Sequence, residues 1–138
     1  MVKKVKQLSL FLDNKPGVLA KVCAVLARQK VNILGISVTD GHDHAVVRLV
    51  TDDPRRAVHT LGSAGILVVD NDVLIIDLPN RAGALGAVSR ILASAKINIE
   101  YSYATASPNQ KSASLVLSVS DTTGAEKALN RLLASKKA

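Results

Sequence analysis

Two short loops carry the residue types best suited to chemistry. The first reads Asp13-Asn14-Lys15-Pro16-Gly17-Val18-Leu19 and the second Asn80-Arg81-Ala82-Gly83-Ala84-Leu85. Each follows an apolar stretch, alternating in the first case, and leads into apolar residues at helical spacing, so each reads as a strand-to-helix turn. At such a turn the first helical N–H groups lack acceptors within the helix, and the helix dipole favours an anion. A ligand carboxylate satisfies both conditions. Gly17 and Gly83 let a ligand or another backbone approach without a Cβ in the way. Asn14 and Asn80 each offer an amide donor and acceptor, suited to an α-ammonium or a second carboxylate oxygen. Asp13 adds an acceptor for an ammonium, whereas the second loop has Pro79 in that place. The same asparagines would equally serve as helix caps and the glycines as plain turn-formers, and both readings stay open.

Other reactive side chains are sparse. Cys23, the single cysteine, lies in the first amphipathic pattern with no obvious base, and it excludes an internal disulfide and any CxxC motif. His42-Asp43-His44 places two imidazoles in turn-forming sequence, and His59 lies in a later helix, but no third ligand is defined. A solvated turn is the expected reading, with no metal. No cofactor is expected. Tyr101 and Tyr103 share one strand face, where interface packing is the simplest use.

Composition narrows the classes further. The chain has 138 residues, 48% hydrophobic and 21% charged, which suits an ordered globular protein. No apolar run approaches the ~18 residues of a membrane span, and no signal-peptide pattern follows Lys3, Lys4 and Lys6. A cytoplasmic protein without membrane association is expected. The formal net charge is +7, with basic residues concentrated near both ends. Nucleic-acid recognition normally adds stacking aromatics or a basic recognition helix. With one Phe and two Tyr in the whole chain, binding to nucleic acid is not expected.

The elements that position the loops come from an internal repeat. Aligned without a gap, Asn14–Ile33 and Asn80–Ile99 are identical at nine of 20 positions, numbered 14, 17, 19, 22, 26, 27, 30, 32 and 33 in the first copy. Each copy reads strand, helix, strand, strand, helix. First strands are expected at Val5–Leu12 and Val73–Leu78, with Leu8, Leu10 and Leu12 on one face. Helices follow from about Gly17 to Gln29 and from the matching residues of the second copy. Second strands fit Asn32–Thr39 and Asn98–Thr105, with Asn32 and Asn98 as left-handed residues after the helices. Third strands fit Ala45–Thr51 and Ala113–Ser120. Asp53-Pro54 is a cap-and-proline helix start, and a partner helix begins near Thr123. Ile66–Val69 supplies a fourth strand to the first copy, whereas nothing after Leu133 supplies one to the second.

The expected fold is α+β: two ferredoxin-like βαββαβ units, residues 1–70 and 71–138, each an antiparallel sheet with helices on one face. The second unit lacks its final strand, and the residues before Val5 are too few to replace it. Small units with open edges favour association, so a homodimer or larger assembly is expected.

Asn14-Lys15-Pro16-Gly17-Val18-Leu19, the helix after it and Val31-Asn32-Ile33 resemble the ACT domain pattern. Asn80-Arg81-Ala82-Gly83-Ala84-Leu85 with Ile97-Asn98-Ile99-Glu100-Tyr101 repeats it over nearly the whole chain, as in stand-alone tandem ACT proteins. The resemblance implies a regulatory module that binds a free amino acid where two domains meet. It implies a carboxylate on the helix-start amides, polar contacts from the loop, and a pocket completed by an adjacent second strand through residues such as Ile33, Leu34, Ile99 and Glu100. It also implies an unidentified regulated enzyme as partner. Ala82 in place of Pro16 departs from the pattern. Acylphosphatases share the ferredoxin-like outline, but Arg81 is the only arginine in either loop and no phosphate cradle surrounds it. Catalysis is therefore not expected, and an assembly module without ligand is the alternative.

Overall fold

The structure, a computed structural model, describes residues 2–41, 43–105 and 108–137, with side chains as far as Arg131. Its elements run β1 (Val2–Asp13), α1 (Val18–Arg28), β2 (Ile33–Asp40), β3 (His44–Thr51), α2 (Pro54–Ser63), β4 (Val68–Pro79), α3 (Ala84–Ser94), β5 (Ile99–Thr105), β6 (Ser112–Val119) and α4 (Thr122–Lys137). The chain forms two compact units, Lys6–Asn71 and Met1–Val5 with Asp72–Ala138.

In the unit Lys6–Asn71 the strand order is β2-β3-β1 followed by the start of β4. Antiparallel register sets Leu8 against Leu49 and Leu10 against Val47, and paired residues point to the same face. That face meets Val22 and Leu26 of α1 and Ala57 and Leu61 of α2, all buried in one apolar cluster. Two strand residues apart and four helix residues apart are the periods the sequence shows, so both helices cover one side.

The unit containing Asp72–Ala138 repeats the plan, with β5-β6-β4 followed by the start of β1. Leu74, Ile76, Leu115 and Leu117 meet Val88 and Leu92 of α3 and Ala125 and Leu129 of α4. Val2 is buried in that same cluster. Residues before Val5 therefore do take the fourth strand position, contrary to the expectation that they are too few. Among the described residues, no strand follows α4.

A second difference concerns Ile66–Val69 and Val73–Leu78, expected as separate strands. The structure has a single strand, Val68–Pro79, running through Asp70, Asn71 and Asp72. Those three are turn-prone residues, but no glycine or proline accompanies them. The Asn71 side-chain oxygen accepts a bond from Gln7 Nε2 at 3.3 Å, which holds the segment extended beside β1.

The helix ends also depart from expectation. The left-handed residues after α1 and α3 are Lys30 (φ 60°) and Lys96 (φ 59°), not Asn32 and Asn98. The Lys30 and Val31 amides donate to the Ala27 and Leu26 carbonyls, and the Lys96 and Ile97 amides to those of Ala93 and Leu92. This is the doubly bonded C-terminal motif, and Val31 and Ile97 anchor it by burial. Asn32 and Asn98 instead clamp β2 and β5 to the ends of β3 and β6. Their amides donate to Asp52 Oδ1 at 2.9 Å and Ser120 Oγ at 3.0 Å. A non-glycine residue at positive φ costs about 1–2 kcal/mol, against roughly 0.5–1 kcal/mol of extra backbone entropy for glycine. Lys30→Gly and Lys96→Gly should each raise stability by a net ~0.5 kcal/mol, read from the denaturant midpoint. A fall would show that the lysine side chains hold these turns.

Candidate functional site

Both strand-to-helix loops are built alike. After β1, the Asn14 amide donates to the Asp43 carbonyl at 3.3 Å and Lys15 N to the Asp13 carbonyl. After β4, the Asn80 amide donates to the Lys111 carbonyl at 2.9 Å and Arg81 N to the Pro79 carbonyl. The asparagine side chains continue the same tie. Asn14 Nδ2 donates to Asp40 Oδ1 at 2.6 Å, and Asn80 Nδ2 to the Gln110 carbonyl at 3.0 Å. Each loop is thus fastened to the turn between the unit's second and third strands. Neither asparagine caps its helix.

The N-cap position belongs to Gly17 (φ 87°) and Gly83 (φ 90°), and neither helix start has a side-chain cap. The other two helices are capped. Asp53 Oδ1 accepts from Arg56 N at 3.1 Å, and Asp121 Oδ1 from Gly124 N at 3.0 Å. A chain that caps α2 and α4 with aspartate leaves α1 and α3 uncapped at the two equivalent places. The first-turn amides there are the groups an anion would meet. A Cβ built on Gly17 or Gly83 touches nothing within 4 Å, so left-handed φ, not crowding, is what requires glycine.

The second loop has open space behind it. A cavity of about 370 Å³ opens beside the β4–α3 loop, within the ~300–1,000 Å³ of typical ligand pockets. Its apolar floor is Val2, Ile76, Leu78, Val88, Ile91 and Leu129, and Arg81, Ala82, Gly83, Ala84, Ala87 and Arg90 lie toward the loop and helix start. Every one of these residues belongs to a single unit. The repeat comparison accounts for the room: Ala84 and Ala87 stand where the first copy has Val18 and Lys21. Arg90 replaces Ala24, and its Nη1 lies 3.4 Å from where a Cβ on Gly86 would sit. The guanidinium therefore folds back along α3 toward the uncapped first turn, as long helical side chains do.

Of the residues singled out from sequence, Arg81, Gly83 and Ala84 line this cavity and Asn80 orders its loop. Leu85 stays exposed. Ile99 packs partly against the core, and Glu100 accepts a bond from Ser118 Oγ at 3.0 Å, so neither joins the lining. In the first copy, Asp13 faces His44 at 3.8 Å, both well exposed. Val18 and Ile33 pack against the core, Pro16 is exposed, and Leu19 and Leu34 face outward. Sequence reasoning missed Ala87, Arg90 and Val2. The first two were visible as departures from the repeat; Val2 had no local signal.

The other candidates gain no support. Among the described residues no three His, Cys, Asp or Glu side chains converge as metal ligands, and His42 lies outside those residues. Cys23 is a half-buried free thiol. Tyr101 and Tyr103 sit in register with Ser118 and Val116 of β6. No helix among the described residues is long and apolar enough to cross a membrane.

Comparison with known proteins bears on the same features. A family model described as an ACT domain pair matches residues 3–136. The crystal structure of protein BT0572 from Bacteroides thetaiotaomicron is 32% identical, with a TM-score of 0.88 over 94% of this chain and 89% of that one. The ligand-free regulatory subunit of aspartate kinase from Thermus thermophilus shares the fold at 18% identity, with a TM-score of 0.70 over 94% and 95% of the two chains. The comparison with curated proteins finds no match.

Proposed function

This chain belongs to the family of ACT domain pairs, and from that premise we propose that it is a non-catalytic regulator that binds a free amino acid at its strand-to-helix loops. The observation that carries the reading is the uncapped, glycine-started helix beside a cavity in the second copy. A loop tied down by Asn80 holds its amides in place before a ligand arrives, which lowers the entropy cost of binding. The ligand carboxylate meets the start of α3, and the first copy offers an equivalent start through Asn14, Gly17, Val18 and Leu19. Binding that favours one arrangement of an assembly over another transmits the signal. The output runs through a partner enzyme in the cytoplasm, and the working form is a homodimer. That the structure of an aspartate kinase regulatory subunit shares this fold accords with the regulatory role.

One observation favours the second reading, an assembly module. Along β2 the alternate residues Leu34, Ile36 and Val38 are 61%, 43% and 53% exposed, an apolar row on an edge strand. Edges of this kind invite pairing.

A thermal-shift screen of the purified protein against the twenty amino acids at millimolar concentration separates the two. A ligand at 100 times its Kd adds about 2.7 kcal/mol of folded-state stability, so a true effector gives a clear rise. A flat screen with a stable dimer would favour the assembly module.

A further inference from the structure

The two copies carry different residues around their equivalent loops. We propose that the cavity beside the β4–α3 loop selects a carboxylic acid with an apolar side chain, held by Arg81 and Arg90, and that the chain binds one such molecule. The inference rests on the amino-acid reading above and adds which copy works and what side chain it takes.

Three observations lead there. The floor of the cavity is hydrocarbon: Val2, Ile76, Val88 and Leu129 are members of the apolar core, with Leu78 and Ile91 packed against it. A polar or charged side chain placed there would lose its hydration with no partner in return. Toward the opening stand two guanidiniums, and neither has an ion-pair partner among the described residues. Arg90 is aimed along α3 toward the uncapped amides, over a glycine that leaves it room. Two forked cations beside a helix start with no side-chain cap form a carboxylate seat, and an apolar chain attached to that carboxylate points to the floor.

The first copy shares the uncapped helix start but lacks both guanidiniums and the small residues. Val18 and Lys21 occupy the positions of Ala84 and Ala87, and Ala24 stands in place of Arg90. The sole lining carboxylate, Asp77, pairs in register with Ser114 and accepts its hydroxyl at 3.3 Å. Ile76 and Leu78 on either side of it enter the core, so Asp77 belongs to the other face of the strand. With no acidic side chain turned into the cavity, recognition falls on the carboxylate and the apolar tail. Those two features are shared by apolar amino acids and their 2-oxo counterparts.

The test is isothermal titration of the full chain with leucine, valine, phenylalanine, lysine, aspartate and serine, and with 2-oxoisocaproate and phenylpyruvate. The same titrations are run on Ala87→Leu, which fills the cavity, and on Arg90→Gln. Binding of apolar amino acids with one molecule per chain, lost in Ala87→Leu and weakened about tenfold in Arg90→Gln, supports the inference. Arg90 is exposed, so its variant reports even where Ala87→Leu fails to fold. Binding of the 2-oxo acids alone supports the inference and overturns the free-amino-acid reading. Preferred binding of lysine, aspartate or serine, or undiminished binding in Ala87→Leu, overturns the inference and leaves that reading standing. No binding of any compound overturns both.

Discussion

Replacing Leu92 by alanine is expected to cost about 2–5 kcal/mol and to weaken one set of residues selectively. Leu92 is fully buried in the cluster built from α3, α4, β4 and β6, which also contains Val2. Its repeat counterpart Leu26 is buried in a separate cluster with Leu8, Leu10, Leu49 and Leu61. Hydrogen exchange should therefore report loss of protection in two non-overlapping sets of amides. Leu92→Ala should expose residues 72–137 together with Val2–Val5, and Leu26→Ala should expose residues 6–71. The amides of Val2–Val5 are the decisive readout, because they adjoin Lys6 in sequence yet belong with Leu92. Were they to follow Leu26→Ala instead, the partition of β1 described above would be wrong.

The second large effect is expected from Val2→Asp. Val2 is 8% exposed and contributes to both the core and the cavity floor. The substitution removes the ~1.5–3 kcal/mol of a buried valine and sets a carboxylate against hydrocarbon, so the start of β1 should leave its place. The expected loss is at least about 2 kcal/mol, with weaker ligand binding and unchanged protection in α1 and α2. Val2→Ile, which keeps an apolar side chain, should bind nearly as the parent does. Equal loss in both variants would point to a disturbed terminus, not to a cavity wall.

Most of the fold could be read from periodicity because its core uses two simple rules. Leu8, Leu10 and Leu12 alternate, Val22 and Leu26 recur one helical turn apart, and the second copy repeats both patterns. What periodicity could not show is where a strand changes allegiance. Val2-Lys3-Lys4-Val5 has too few apolar residues to announce a strand, and its burial depends on side chains remote in sequence such as Ile76 and Leu129. Asp70-Asn71-Asp72, left between two expected strands, favour a turn as isolated residues, but pairing beside β1 holds them extended.

The loops were legible as to place and less so as to roles. Gly17 and Gly83 were open between a ligand's close approach and a plain turn, and their positive φ shows that the turn itself calls for glycine. The asparagines were ambiguous because a cap and a tie to a distant turn use the same amide; only the partners Asp40 and Gln110 distinguish them. Lys30 and Lys96 carry left-handed strain that asparagine would bear more easily, so residue preference pointed two positions too far. Ala87 and Arg90 are informative only by contrast with Lys21 and Ala24, which makes the difference between repeats more instructive than their identity.

The placement of Val2–Val5 with Asp72–Ala138 also bears on how the protein is made. These residues are translated well before the strands and helices they must join. At synthesis rates of ~5–20 residues per second, the stretch waits several seconds without its partners while residues 6–71 already have theirs. An unpaired strand in a crowded cell offers open backbone groups for pairing with another chain. Lys3, Lys4 and Lys6 are exposed in the finished fold and repel a second nascent chain carrying the same charges. Lys3, Lys4 and Lys6 are thus expected to act as gatekeepers over that interval, and their replacement by uncharged residues should raise aggregation during synthesis without lowering the stability of the finished fold.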